Sequence, residues 1–134
     1  MSAAKLTILV VDDSATIRDF VRIYLMDFGC DLVEADSGAR ALQLARLMTL
    51  DLIIADVKMP EMDGFELVRR LRSDPNIKSK TAPILLLTGE KAPMMRARCL
   101  AAGANAFLPK PIDTEKLREL ARQLMCGGAA SPRK

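Results

Sequence analysis

Three carboxylates, a hydroxyl and an amine stand out by where they fall relative to apolar runs. Asp12 and Asp13 follow LTILVV, Asp56 closes LIIAD, Thr88 follows PILLL, and Lys110 comes directly after AFLP. Each run is short, apolar and without helical spacing, so each reads as a buried strand. If the strands are parallel, their C-terminal ends share one edge, and the five polar groups meet there. Three carboxylates within about 5 Å of one another would repel by roughly 3 kcal/mol per pair at an effective dielectric near 20. Such a cluster calls for a cation or for raised pKa values. Oxygen donors suit a hard divalent ion, and few protein ligands with waters retained suit Mg²⁺ better than Ca²⁺. Lys110 adds a positive charge opposite the acids, and Thr88 adds a hydroxyl. Metal, ammonium and hydroxyl around one carboxylate are the parts that neutralise a phosphoryl group in transfer. The chemistry suggested is attack by Asp56 on a phosphoryl donor, giving an aspartyl phosphate. Singly, each residue has a plainer reading: helix caps for Asp12 and Asp13, a strand-ending acid for Asp56, a turn hydroxyl for Thr88, a solvated amine for Lys110. Their joint placement favours a site.

Composition removes other chemistries. The chain has no histidine, which excludes Ser-His-Asp and Cys-His catalysis, histidine-ligated zinc and a phosphohistidine donor. Its three cysteines, Cys30, Cys99 and Cys126, are scattered without metal-ligand spacing and read as reduced thiols of a cytoplasmic protein. A net charge of +3 is too small to argue for nucleic acid or a membrane surface. No apolar run is long enough to span a bilayer. At 134 residues, one domain is expected, with residues 1–126 folded and 127–134, GGAASPRK, a disordered tail.

The elements that must position the five groups follow from periodicity. Ser14 caps a first helix carrying Ile17, Phe20, Val21, Leu25 and Phe28 at three- and four-residue steps, which Gly29 stops in a left-handed conformation. Residues 31–35 form a second strand, and Ser37-Gly38 opens a helix with Ala41, Leu42, Ala45 and Met48 on one face. After Asp56, Met59-Pro60 and Asp63-Gly64 mark a loop in which glycine permits positive φ, and a helix over 64–72 buries Phe65, Val68 and Leu71. A fourth helix spans about 93–102, a fifth strand 105–108, and Asp113 caps a last helix bearing Leu117, Leu120, Ala121 and Leu124. Strands alternating with helices give an α/β fold: a doubly wound, five-stranded parallel sheet covered on both faces by five helices.

These motifs have a known counterpart. The chain resembles the receiver domain of two-component response regulators, specifically the single-domain, CheY-like kind, over about residues 5–125. The resemblance rests on ILVVDDS, DLIIADVKMPEMDGFEL, PILLLTGE and AFLPKPI in matching order and spacing. It implies the flavodoxin-like strand order 2-1-3-4-5, for which the CheY fold is itself a standard example. It implies Asp56 as phosphoacceptor, and Mg²⁺ held by Asp13, by Asp12 through water, by Asp56 and by the backbone carbonyl of Lys58. Thr88 and Phe107 match the switch hydroxyl and switch aromatic, and Lys110 the amine that pairs with a phosphoryl oxygen. The Lys110–Pro111 bond matches a position that is usually cis.

The resemblance further implies a phosphoacceptor switch rather than an enzyme, with self-catalysed phosphotransfer and slow autodephosphorylation. The donor would be a sensor histidine kinase or phosphotransfer protein. Output would pass to a downstream protein through the face made by the fourth helix, fifth strand and fifth helix, in a monomer or weak dimer. With no helix-turn-helix segment, direct nucleic-acid binding is not expected. Arg96, Arg98, Lys116, Arg118 and Arg122 suit either an acidic partner or a solvated helix face, and Met94 and Met95 either a contact or the core. Lys58 and Glu90 depart from the commonest pattern. Their opposite charges at facing positions suggest a pair across the pocket mouth that slows dephosphorylation, against two solvated charges. Two other readings stay open: a receiver-like interaction module that never accepts phosphate, and a small Mg²⁺-dependent hydrolase. The hydrolase would lack a second acid where Lys58 stands.

Overall fold

The computed structural model describes residues 5–89 and 93–130. Its five strands, β1 (Thr7–Val11), β2 (Asp31–Ala35), β3 (Leu52–Asp56), β4 (Ile84–Thr88) and β5 (Ala106–Pro109), pair in parallel in the order β2-β1-β3-β4-β5. The helices are α1 (Ala15–Leu25), α2 (Gly38–Leu47), α3 (Gly64–Ser73), α4 (Pro93–Ala102) and α5 (Thr114–Ala130). The expected fold class and strand order are thus observed. β3 is central and fully buried, and its Asp56 stands opposite Leu87 of β4.

The apolar strands look continuous in sequence, yet the pleat divides them. Leu9 and Val11, Ile53 and Ala55, and Ile84 and Leu86 face the core under α2, α3 and α4. Ile8 and Val10, Leu52 and Ile54, and Leu85 and Leu87 face the core under α1 and α5. A sheet buried on both faces needs apolar side chains at both parities, so the runs show no alternation.

Local chemistry starts and stops the helices where the sequence indicates. Ser14 Oγ accepts from the Ile17 amide at 3.3 Å, Ser37 Oγ from the Arg40 amide at 3.1 Å, and Asp113 Oδ1 from the Glu115 and Lys116 amides. Gly29 has φ 74° and follows a 3-10 turn, Met26–Phe28, that tightens the end of α1.

Three expectations need correction. First, Gly64 is not at positive φ; it is the first residue of α3, and the left-handed residue of its loop is Glu61, at φ 70°. Second, α5 continues to Ala130, four residues into the stretch read as a tail. Hydrogen bonds propagate from the packed part of the helix, and glycine's cost of about 1 kcal/mol per residue does not forbid it. Residues 131–134 lie outside the described residues. Third, the basic residues are mostly exposed but are not all free solvated charges. Arg98 stacks over the Phe65 ring at 4.5 Å. Arg118 binds Asp27 at 2.7 Å and the Tyr24 carbonyl at 2.6 Å, and both Arg118 and Arg122 lie over Phe28. The two methionines divide, Met95 buried and Met94 exposed.

Among the described residues, no helix is long and apolar enough to cross a membrane.

Candidate functional site

The ladder register brings the C-terminal ends of β1, β3, β4 and β5 together. Val11 pairs with Ala55, Asp56 with Leu87, and Thr88 with Pro109. Past the strands, backbone bonds extend the alignment. The Asp12 amide donates to Ala35 at 3.1 Å, the Val57 amide to Leu87 at 2.8 Å, and the Lys110 amide to Thr88 at 2.7 Å. The Lys110–Pro111 bond is cis, as the family resemblance implies.

Five of the residues singled out by sequence therefore meet at one edge. Asp12, Asp13 and Asp56 can each offer a carboxylate oxygen such that all three lie within 4.8 Å of one another. Asp12 and Asp56 are buried and Asp13 is exposed. The Lys110 ammonium sits 3.1 Å from Asp56 Oδ1, close enough to pair electrostatically although not aligned as a directed hydrogen bond. Thr88 is buried at the end of β4. Phe107 is half-buried on β5, against the core under α2, α3 and α4. Lys58 is exposed at the loop that follows Asp56; its suggested partner Glu90 lies outside the described residues.

The electrostatics of the cluster centre on Asp12. Burial pushes its carboxyl up to about 6, with the Asp56 and Asp13 charges adding to the rise. A hydrogen bond from the Ser14 amide to Oδ1 at 2.9 Å, and the Lys110 charge, oppose it. Asp12 Oδ2 is buried and has no hydrogen-bond partner among the described residues. An orphaned buried carboxylate oxygen beside two more carboxylates is a hard-oxygen donor set that fits a divalent ion such as Mg²⁺.

Sequence reasoning missed three supports of this edge. Arg18 donates to the Asp12 carbonyl at 2.5 Å and to Glu34 at 2.9 Å, tying the β1 end to β2. Its place one turn into an amphipathic helix gives no signal of that. A Cβ at Gly64 would lie 2.6 Å from the Asp56 carbonyl oxygen. The Asp-Gly pair was legible as punctuation, but not the close approach behind it. The Arg98–Phe65 stack joins α4 to the start of α3 and needs tertiary structure to be seen.

Comparison with known proteins agrees with this geometry. The family model described as "Response regulator receiver domain" matches residues 8–122. Two-component response regulator ARR17 of Arabidopsis thaliana is 35% identical, the match covering 85% of this chain and 83% of ARR17. Chemotaxis protein CheY4 of Vibrio cholerae superposes with a TM-score of 0.82 at 38% identity, covering 90% of this chain and 99% of CheY4. The receiver domain of sensor histidine kinase PA1611 from Pseudomonas aeruginosa PAO1, solved with magnesium in its active-site cleft, gives 0.80 at 27% identity over 92% of this chain and 99% of that one. The fold is that of the CheY-like receiver domains. The chain belongs to the response regulator receiver domain family.

Proposed function

We propose that Asp56 is the phosphoacceptor of a Mg²⁺-dependent phosphorelay switch. The observation that supports this most is the setting of Asp56 itself. It is buried at the end of the central strand, 3.1 Å from the Lys110 ammonium and grouped with Asp12 and Asp13. Buried acids at one point have few uses other than holding a cation and presenting one of their number to an electrophile.

In this reading an Asp56 carboxylate oxygen attacks the phosphorus of a phosphohistidine on a sensor kinase or phosphotransfer protein. The P–N bond breaks and its electron pair returns to the imidazole. Asp13, Asp12 through water, Asp56 and the Lys58 carbonyl would hold Mg²⁺, which neutralises phosphoryl oxygens as charge moves onto them. Lys110 pairs with a second oxygen and Thr88 donates its hydroxyl to a third. The product adds charge and acceptor oxygens at the edge of β3. Thr88 turns toward them, and half-buried Phe107 moves into the space this leaves. The α4-β5-α5 face shifts in population between two forms, and a partner protein that prefers one form reads the change.

Incubation with Mg²⁺ and phosphoramidate, followed by peptide mass mapping, tests the reading. A gain of one phosphoryl group on Asp56, abolished by Asp56→Asn and by chelation, is expected. No gain would favour an interaction module working without phosphate, and continuous phosphate release at enzyme-like rates would favour a hydrolase.

A further inference from the structure

A stripe of residues one turn apart lays α5 against the end of α1. Arg118 donates to both Asp27 carboxylate oxygens, at 2.7 and 3.0 Å, and to the Tyr24 carbonyl at 2.6 Å. Arg118 and Arg122 both lie over the Phe28 ring, their guanidinium carbons 5.0 and 5.3 Å from its centroid. Positions four apart share a helix face, so the next residue on this stripe is Cys126. Its partners run Tyr24, Asp27, Phe28 along the chain, and Cys30 stands two residues further on.

Two thiols are thereby brought to the same edge of the sheet. Cys30 directly precedes β2, at the N-terminal edge, opposite the acidic cluster. Its Sγ is 3.9 Å from the Phe28 carbonyl oxygen. Its side chain packs against the core under α1 and α5, as do Leu124 and Met125, the two residues before Cys126. Cys30 is half-buried and Cys126 exposed. Burial raises the Cys30 thiol above its ordinary value, and the charges of Asp51, Asp31 and Cys126 add to the rise, against Lys5. Cys126 therefore lies within electrostatic reach of Cys30. The third cysteine, Cys99, is buried in the core on the other face of the sheet. The phosphorelay chemistry uses neither Cys30 nor Cys126.

We infer that Cys30 and Cys126 are a redox pair that closes to an intrachain disulfide, fastening the last turns of α5 to the entry of β2. The inference stands apart from the reading of Asp56. The oxidant is a small-molecule disulfide such as oxidised glutathione. The exposed Cys126 thiolate attacks one of its sulfurs, the S–S bond breaks, and one glutathione thiolate leaves with the electron pair. The Cys30 thiolate then attacks Cys126 Sγ in that mixed disulfide and expels the second glutathione. The two protein thiols lose two electrons and two protons, which leave on the two glutathione thiols formed. A disulfide holds its two Cα atoms about 4.4–6.8 Å apart. Gly127 and Gly128 follow Cys126 and are the poorest helix formers short of proline, so this turn of α5 can shift to that spacing at small cost. A glutathione pool kept reduced holds the pair open, and a rise in its oxidised form closes it.

The folded chain is equilibrated in glutathione buffers of stepped reduced-to-oxidised ratio, quenched in acid, alkylated and mapped as peptides without reduction. A Cys30–Cys126 cross-link within monomers is expected, half-formed at an effective concentration of about 1 mM or more, with Cys99 remaining a thiol. Closing so long a loop should raise the urea midpoint of the oxidised protein by about 1 M, a shift reversed by dithiothreitol and absent from Cys126→Ser. Cys126 found only as a glutathione adduct, or joined to the same residue of a second chain, overturns the pair, since either shows Cys30 to be out of reach. A cross-link that forms only in urea overturns it too. So does a bridge that lowers the midpoint, because it marks a link made by distorting the fold.

Discussion

Gly64 approaches Asp56 so closely that a methyl group on its Cα would lie 2.6 Å from the Asp56 carbonyl oxygen and 2.8 Å from the Val57 Cα. The Gly64 amide also donates to the Val57 carbonyl at 2.8 Å. The start of α3 is therefore pressed directly against the backbone that carries the candidate acceptor. Both obstructing atoms belong to the main chain and cannot rotate away. Gly64→Ala is expected to cost about 2 kcal/mol, as overpacking does, and to move Asp56 relative to Lys110. Urea denaturation would register the first effect and the phosphoramidate labelling rate the second. An unchanged rate at reduced stability would mean that the strain is absorbed within α3.

Asp12 gives the protein a pH dependence of definite sign. Its carboxyl has an ordinary value of 3.8 and is raised to about 6 in the fold. Between these values the folded chain binds more protons than the unfolded one, so stability falls as pH rises through that window. Below it the group is protonated in both states; above it the full penalty applies, at most about 3 kcal/mol. Asp12→Asn should remove this contribution and stabilise the metal-free protein at neutral pH. Urea midpoints of the two proteins, compared from about pH 4 to about pH 7.5 in chelator, measure it directly. A divalent ion held beside Asp12 disfavours its proton, so stabilisation by Mg²⁺ should shrink as pH drops below about 6.

At the opposite edge of the sheet, Arg72 is saturated by acceptors. Its guanidinium donates to the Gly103 carbonyl at 3.0 and 2.9 Å, to the Lys80 and Ala82 carbonyls at 2.6 Å each, and to Asn105 Oδ1 at 2.9 Å. Asn105 Oδ1 in turn accepts from the Ile84 amide at 2.9 Å. Arg72→Met would leave several of these carbonyls without a donor and is expected to cost about 3 kcal/mol. Arg72→Lys should be nearly as harmful, because one ammonium cannot span the fork. Chemical denaturation reads the loss. Phosphorylation of the remaining folded protein should be unaffected.

Glu61 holds a left-handed conformation in the loop between Asp56 and α3. Glu61→Gly should be close to neutral in thermal melts, the relief of backbone strain offsetting glycine's extra chain entropy. Glu61→Val should lower stability by about 1–2 kcal/mol, since a β-branched side chain is disfavoured there.

What was legible in the sequence depended on period and punctuation. The strand ending at Asp56 announced itself through four apolar or small residues and a terminal acid, and β3 has those same bounds. The Ser14 and Ser37 caps were readable because capping is a local hydrogen bond. Asp12, Asp13, Asp56 and Lys110 could be gathered because parallel strands put all their C-termini on one edge. Arg72 could not be read in this way, since its acceptors lie 8 to 33 residues away. Arg98 was ambiguous for a related reason. A basic residue on an exposed helix looks the same in sequence whether it meets water or an aromatic ring. Glu61 was missed because nothing but the preceding Pro60 and the neighbouring Asp63-Gly64 marks that loop, and the glycine drew the expectation of positive φ to itself.

Parallel pairing has a consequence for how such a domain can vary. β1, β3, β4 and β5 have their C-terminal ends at the acidic pocket, and the far side of the sheet forms an anchoring seam, where Arg72 and Asn105 work alongside Asp51, whose carboxylate accepts from the Thr7 amide at 2.9 Å. A strand of five residues separates the two by about 17 Å. Exchanges of side chain around the pocket can therefore alter its chemistry while the seam keeps the scaffold intact.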